Sequence, residues 1–116
     1  MIPHDPPSAQ QLVESVREWL ERDVLASTTG RVQFHTRVAI NVLAMVEREL
    51  ELGPAQATDH RDRLQALGFA DDAGLAAAIR SGVVDDDGPQ AGAVRDAVWA
   101  SVRDKLIVAN PRYLEA

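Results

Sequence analysis

Residues 31–52, RVQFHTRVAINVLAMVERELEL, hold the strongest structural signal in the chain. Apolar residues recur there at three- and four-residue intervals, the spacing of one face of an α-helix. That face spans about 180°, which predicts a central helix with neighbours on two sides. Gly53 and Pro54 predict its end, because Gly often caps a helix and Pro cannot continue one. The apolar face consists of Phe34, Val38, Ala39, Val42, Leu43, Met45, Val46 and Leu50.

Four further segments also favour helices. The first starts at Ser8, which forms a predicted capping box with Gln11, and it ends near Leu25. A short polar segment, 59–67, comes next. It is followed by a segment over 73–81, for which Asp71 or Asp72 is the predicted cap and Gly82 the predicted end. The last helix is predicted for residues 90–109, and its apolar face carries Val94, Val98, Val102, Leu106 and Ala109.

No alternating strand pattern interrupts these segments, so the sequence predicts an all-α fold. The expected architecture is a single-domain bundle of four or five helices over residues 1–116. Residues 1–7 are expected to form an extended N-terminal arm because of their prolines. Residues 110–116 form a C-terminal tail after the last helix.

The amino-acid composition argues against several classes of function. A formal charge of −6 argues against a nucleic-acid binder and against adsorption to an anionic membrane. The absence of cysteine excludes disulfides and thiolate chemistry. Since the chain shows no signal peptide and no apolar run of about 20 residues, a cytoplasmic protein is expected.

The motifs of common catalytic sites are also missing. The glycines match no phosphate-binding loop, the histidines form no metal-binding pair, and no serine lies in a nucleophile elbow. The run 85–88 is interpreted as an acidic surface loop, because valines occupy the ligand positions that a calcium loop requires. We therefore expect no metal, no cofactor and no catalysis by this chain alone.

Two charged residues fall on predicted apolar faces. Glu49 projects from the long second segment and Lys105, the only lysine, from the last one. A partly buried ion pair between them would explain both positions. The alternative is that each side chain reaches solvent near a helix end.

His35 also projects into the apolar face of the long segment. It is either a core histidine bonded to a backbone carbonyl or a contact for a ligand or partner. Arg37, Asn41 and Arg48 lie at one edge of this apolar face, within about 40° of one another in projection. This flank is either a solvated edge or a site for a carboxylate or phosphate group.

The tail contains a second candidate contact. Asn110 and Pro111 end the last helix, and Arg112 and Tyr113 follow. In one interpretation Tyr113 and Leu114 dock on the core. In the other, Asn110, Arg112 and Tyr113 face another protein, since Arg and Tyr are frequent interface anchors.

These segments also carry a resemblance. FHTRVAINVL at 34–43, VEREL at 46–50 and KLIVANPRYL at 105–114 resemble a small bacterial family of unknown function. Its members are usually encoded beside aminoglycoside-phosphotransferase-like kinases and acyl-CoA dehydrogenases. The resemblance implies an accessory subunit of a kinase that phosphorylates hydroxyacyl-CoA in hydroxy- or keto-acid catabolism.

Three functions follow as hypotheses. The first is a non-catalytic accessory subunit that binds such a kinase. The second is a stand-alone protein that binds acyl-CoA or another anion. The third is an enzyme in which His35 acts as acid–base with Lys105 or Arg37, and it requires these groups to converge in one pocket. A homodimer is compatible with each of them.

Overall fold

A computed structural model describes residues 6–84 and 87–115. Over these residues the chain is helical and contains no strand, so the predicted all-α fold class is confirmed. The expected arm over residues 1–7 lies mostly outside the described residues. The helices are α1 (Ala9–Trp19), α2 (Leu25–Ser27), α3 (Gly30–Ala66), α4 (Asp72–Ser81) and α5 (Ala91–Ala109).

The first helix begins as the sequence predicts. Ser8 Oγ accepts a hydrogen bond from the Gln11 N–H at 3.2 Å, and Gln11 Oε1 accepts one from the Ser8 N–H at 2.8 Å. This reciprocal capping box satisfies two N–H groups that have no partner within the helix. The chain continues through a π-helical segment, Leu20–Val24, into the short α2.

The long helix α3 differs from the prediction. It does not end at Gly53–Pro54 but continues through Pro54, and the segment 59–67 is its last part rather than a separate helix. Gly53 does not adopt the positive φ of a helix cap, whereas Gly68, beyond the end of α3, has a φ of 90°. Proline in a helix interior costs about 3 kcal/mol. The residues after Pro54 make contacts with α4 and α5 through His60, Arg63 and Leu64, and such contacts favour a helix despite an unfavourable residue.

The chain divides into two compact units at the same place. The first unit extends to Gly53 and the second begins at Pro54. The Gly-Pro signal therefore marks the boundary between the units rather than the end of a helix.

The remaining helix ends match the prediction. Asp71 caps α4 by accepting a hydrogen bond from the Gly74 N–H at 2.8 Å. Gly82 ends α4 with a φ of 82°. A 3-10 helix, Pro111–Glu115, follows α5.

The second unit has a small apolar core. Leu64 of α3, Leu75 of α4 and Val94 of α5 are buried in one cluster. Half-buried apolar residues pack against this cluster, namely Leu67, Phe69 and Val84. Three helices therefore share this core.

The first unit is held together differently. Among its described residues Thr36 alone is buried, and its hydroxyl donates to the Val32 carbonyl at 2.7 Å. A hydrogen-bonded ion pair joins Arg17 of α1 to Glu47 of α3. Large apolar side chains of both helices stay exposed, namely Leu12, Val16, Trp19, Val32, Phe34, Val38, Val42 and Leu50.

Candidate interaction surfaces

The first candidate surface is an apolar stripe on the first-unit part of α3. Phe34, Val38 and Val42 follow one another at four-residue spacing, so their side chains share one side of the helix. All three are exposed, and Phe34 retains 60% of its accessible surface. We call this stripe the α3 ridge. The sequence predicts these residues to be packed inside a bundle, and the structure instead exposes them.

His35 lies next to the ridge and is also exposed. Its ring meets the Phe34 ring edge-on, with centroids 5.3 Å apart and an angle of 74° between the planes. The interpretation of His35 as a buried core histidine is therefore wrong. The alternative, a contact with a ligand or partner, stays a prediction.

The polar flank along the same helix is only partly accessible. Arg37 and Asn41 are exposed, whereas Arg48 is half-buried. His35 and Arg37 project about 160° apart around the helix, because successive residues are about 100° apart. The enzyme hypothesis with Arg37 requires these two side chains to converge on one reacting group. Their directions on the helix do not allow this.

Glu49 and Lys105 belong to different units, Glu49 to the first and Lys105 to the second. Both side chains are exposed. Their ion pair stays a prediction, and so does the pairing of Lys105 with His35.

The second candidate surface lies on α5. Arg95, Val98, Trp99, Val102 and Lys105 fall within an arc of about 120° and are exposed. Trp99 retains 56% of its accessible surface. We call these five residues the α5 surface. The sequence places Val98 and Val102 on the buried face of this helix, and the structure turns a different face inward.

Polar contacts explain why the inward face of α5 differs from the predicted one. Asp104 accepts a hydrogen bond from Arg63 at 3.0 Å through its carboxylate and one from Gln56 at 3.2 Å through its carbonyl. Ser101, which precedes Asp104 by one turn, contacts His60. The face of α5 that carries Val94, Ser101 and Asp104 therefore packs against α3.

The C-terminal 3-10 helix and Asn110 before it add further exposed side chains. Its Tyr113 N–H donates to the Asn110 carbonyl at 3.1 Å, which fixes the turn after α5. Asn110, Arg112 and Tyr113 are exposed, whereas Leu114 is half-buried. Of the predicted docking pair, only Leu114 is partly covered by the protein.

A polar chain joins three helices of the second unit. His60 Nε2 lies 2.8 Å from Asp72 Oδ1, and His60 Nδ1 lies 3.1 Å from Ser101 Oγ. If Nε2 carries the proton and donates to Asp72, Nδ1 accepts from the Ser101 hydroxyl. Sequence reasoning missed this group because the three residues are far apart in the chain and no motif links them.

The order serine, histidine, aspartate resembles that of a hydrolase triad, but the surroundings differ. Ser101 lies in the middle of α5, where backbone N–H groups are bonded within the helix. Such groups are not available to stabilise an oxyanion beside Ser101. We therefore interpret the three residues as a tie between α3, α4 and α5.

No cluster of three or more potential metal ligands occurs among residues 6–84 and 87–115. No helix in this part of the chain has the length and apolar character needed to cross a bilayer. A shallow cleft contains none of the predicted site residues; it is lined by Val83, Val84, Gly88, Pro89, Gln90 and Ala91.

Comparison with known proteins identifies a family for this chain. The family described as "Domain of unknown function (DUF6285)" matches residues 26–113. The chain belongs to this family. The DUF6285 match includes the α3 ridge, the polar chain and the α5 surface. Neither the curated proteins nor the solved structures gave a match.

Proposed function

We propose that this DUF6285 protein is a non-catalytic interaction subunit that binds an aminoglycoside-phosphotransferase-like kinase. The kinase would act on a hydroxyacyl-CoA in hydroxy- or keto-acid catabolism. The α5 surface and the C-terminal 3-10 helix form the contact. The observation that carries the proposal is the joint exposure of Val98, Trp99 and Val102 on a helix whose other face is packed.

The residue types of this surface suit a protein partner. Trp, Tyr and Arg are over-represented among the residues that dominate binding energies. Trp99 and Tyr113 bring large apolar rings with one polar group each, and Arg112 lies beside Tyr113. Covering apolar area contributes about 25 cal/mol per Å² before the costs of association are subtracted.

The charge of the surface points to the character of the partner. The chain as a whole carries −6, yet both charged residues of the α5 surface, Arg95 and Lys105, are basic. The acidic Asp104 of the same helix faces inward and pairs with Arg63. A partner surface with an apolar centre and acidic edges would complement this arrangement.

The kinase identity rests on the resemblance described above, in which related chains are encoded beside phosphotransferase-like kinases. A supporting role also agrees with the scattered placement of the polar residues. His35 and Arg37 project in different directions, and the polar chain around His60 ties helices together.

The experiment is co-expression with a phosphotransferase-like kinase from the same genome, followed by size-exclusion chromatography and a titration. We expect a complex that Trp99→Ala weakens about tenfold or more, the cost typical of an interface anchor. Val83→Ala is the matched control, because Val83 is an exposed apolar residue outside the α5 surface.

Two results would contradict the proposal. One is separate elution of the two folded proteins, with kinase activity on hydroxyacyl-CoA unchanged by this chain. The other is a complex that Trp99→Ala and Tyr113→Ala leave unaffected, which would place the contact elsewhere.

A further inference from the structure

We infer that the α3 ridge binds the same ridge of a second copy of this chain, with the two helices antiparallel. This goes beyond the proposed function, which uses the α5 surface. The inferred interface involves the first unit alone. It would cover Phe34, Val38 and Val42, which a single chain leaves exposed.

Two of the three ridge residues are arranged symmetrically about the height of Ile40. Val38 and Val42 lie at equal distances on either side of Ile40. An antiparallel pair centred at this height brings Val38 against Val42 of the second copy, and the reverse contact forms by symmetry. Phe34 then lies near Met45 of the second copy, a half-buried residue on the same side of the helix.

Two opposite charges lie beyond the ridge, one on each side of it along α3. Arg31 and Glu49 are eighteen residues apart, which is five full helical turns. Both side chains therefore project on the same side as the ridge, about 27 Å apart along the axis. Both are exposed.

Antiparallel pairing places Arg31 of each copy opposite Glu49 of the other, so two opposite-charge pairs form at once. Parallel pairing would instead oppose Arg31 to Arg31 and Glu49 to Glu49, which is unfavourable. The ridge is thus complementary to itself in one orientation only. A self-complementary patch is the requirement for a dimer with two-fold symmetry.

The weak core of the first unit supports the same conclusion. Thr36 is the only buried residue among those described there. Two copies would bring together two α1–α3 pairs, the number of helices in a four-helix bundle.

The first test is the mass of the chain of residues 1–116 in solution, measured by light scattering after size-exclusion chromatography. We expect about twice the chain mass of 12.6 kDa. Val38→Glu should give the single-chain mass, because it places a charge at the centre of the ridge. Ile79→Glu is the control and should remain dimeric; Ile79 lies on α4 and is 45% exposed, against 44% for Val38.

A charge exchange tests the orientation without altering the apolar contacts. Arg31→Glu or Glu49→Arg alone replaces both attractive pairs by repulsive ones, and each should weaken the dimer about tenfold or more. The double variant R31E/E49R restores attraction in an antiparallel dimer and should recover the original dissociation constant.

Each outcome decides the matter. A single-chain mass for the unaltered protein at all accessible concentrations would overturn the inference. A dimer that tolerates Val38→Glu, with helix content confirmed by circular dichroism, would show that another face associates. Failure of R31E/E49R to recover what the single variants lose would exclude the antiparallel arrangement. The mass of this chain alone does not depend on the kinase, so the outcome is separate from that of the proposed function.

Discussion

The Arg17 guanidinium of α1 donates two hydrogen bonds to the Glu47 carboxylate of α3. One joins Nε to Oε2, and the other joins Nη2 to Oε1 at 3.2 Å. Arg17 also donates a hydrogen bond to Glu21, in the π-helical segment that follows α1, at 3.1 Å. The pair with Glu47 bridges thirty positions of sequence in a unit that has almost no apolar core. Bidentate Arg–carboxylate pairs are among the stronger polar contacts in proteins.

Removal of this pair should destabilise the first unit. The Glu47 side chain is only 13% exposed, so the remaining partner would keep a poorly solvated charge. We expect Arg17→Ala and Glu47→Gln each to lower the free energy of unfolding by about 1.5–3 kcal/mol. Urea denaturation followed by circular dichroism measures this change.

A double-mutant cycle separates the pair from the individual side chains. The combined variant should cost less than the sum of the two single variants. Arg22→Ala is a suitable control, because Arg22 is exposed and its nearest carboxylate, that of Asp23, is 4.0 Å away. Additive single effects, or an equal loss from Arg22→Ala, would contradict a stabilising role for the pair.

Glu47 also raises the pKa of Arg17, chiefly through the hydrogen bond between their side chains. A raised pKa in the folded state means that the contribution from Arg17 ionisation is fully present below the ordinary arginine pKa. It is lost only as the pH rises beyond that value. Stability should therefore show no dependence on Arg17 titration in the neutral range, measured as unfolding free energy against pH.

The second unit should respond most to changes in its apolar cluster. Leu64 is 4% exposed and lies among Leu75 and Val94. Leu64→Ala should destabilise the protein by about 2–5 kcal/mol, because it removes buried methyl groups and leaves a cavity. Ile79→Ala, at an exposed position of α4, should cost much less. Equal losses in denaturant unfolding would show that Leu64 does not form the core.

Local signals in the sequence were sufficient for several elements. The Ser8–Gln11 box and the Asp71 cap each depend on residues three positions apart, so a short window contains all the interacting groups. The positive φ of Gly82 likewise follows from its position after a helical segment. The all-α fold class was predictable because the apolar spacing of a helix is also contained in a short window of sequence.

The contacts between helices were not predictable in this way. Pro54 predicts a helix end, but contacts of His60, Arg63 and Leu64 with α4 and α5 keep the chain helical beyond it. The buried face of α5 was predicted from its valines, whereas Asp104 determines which side meets α3. Such pairings depend on residues about forty positions apart, and apolar periodicity does not report them.

The chain His60–Asp72–Ser101 should contribute to stability rather than to chemistry. Ser101→Ala should lower the free energy of unfolding by about 0.5–1.5 kcal/mol, the net value of one hydrogen bond. His60→Ala should cost more, because it removes the contacts to both Asp72 and Ser101. Ser81→Ala is a control of the same kind at an exposed helix end.

A reagent for activated serines gives an independent check of that interpretation. The unaltered protein should not be labelled by a fluorophosphonate at Ser101, as judged by mass spectrometry. Labelling that disappears in His60→Ala would instead show that His60 activates the Ser101 hydroxyl.

Coupling measurements distinguish two partners for Glu49, Lys105 of the same chain and Arg31 of a second copy. The sequence predicts an ion pair with Lys105, whereas the inferred dimer pairs Glu49 with Arg31 of a second copy. If Lys105 is the partner, Glu49→Gln and Lys105→Met should be coupled in unfolding experiments at low protein concentration, where only single chains are present. If Arg31 is the partner, the two changes should be additive there, and Glu49→Gln should instead weaken the dimer. Coupling to Lys105 together with an unchanged dimer would assign Glu49 to the single chain, because a carboxylate held by Lys105 is not available to a second copy.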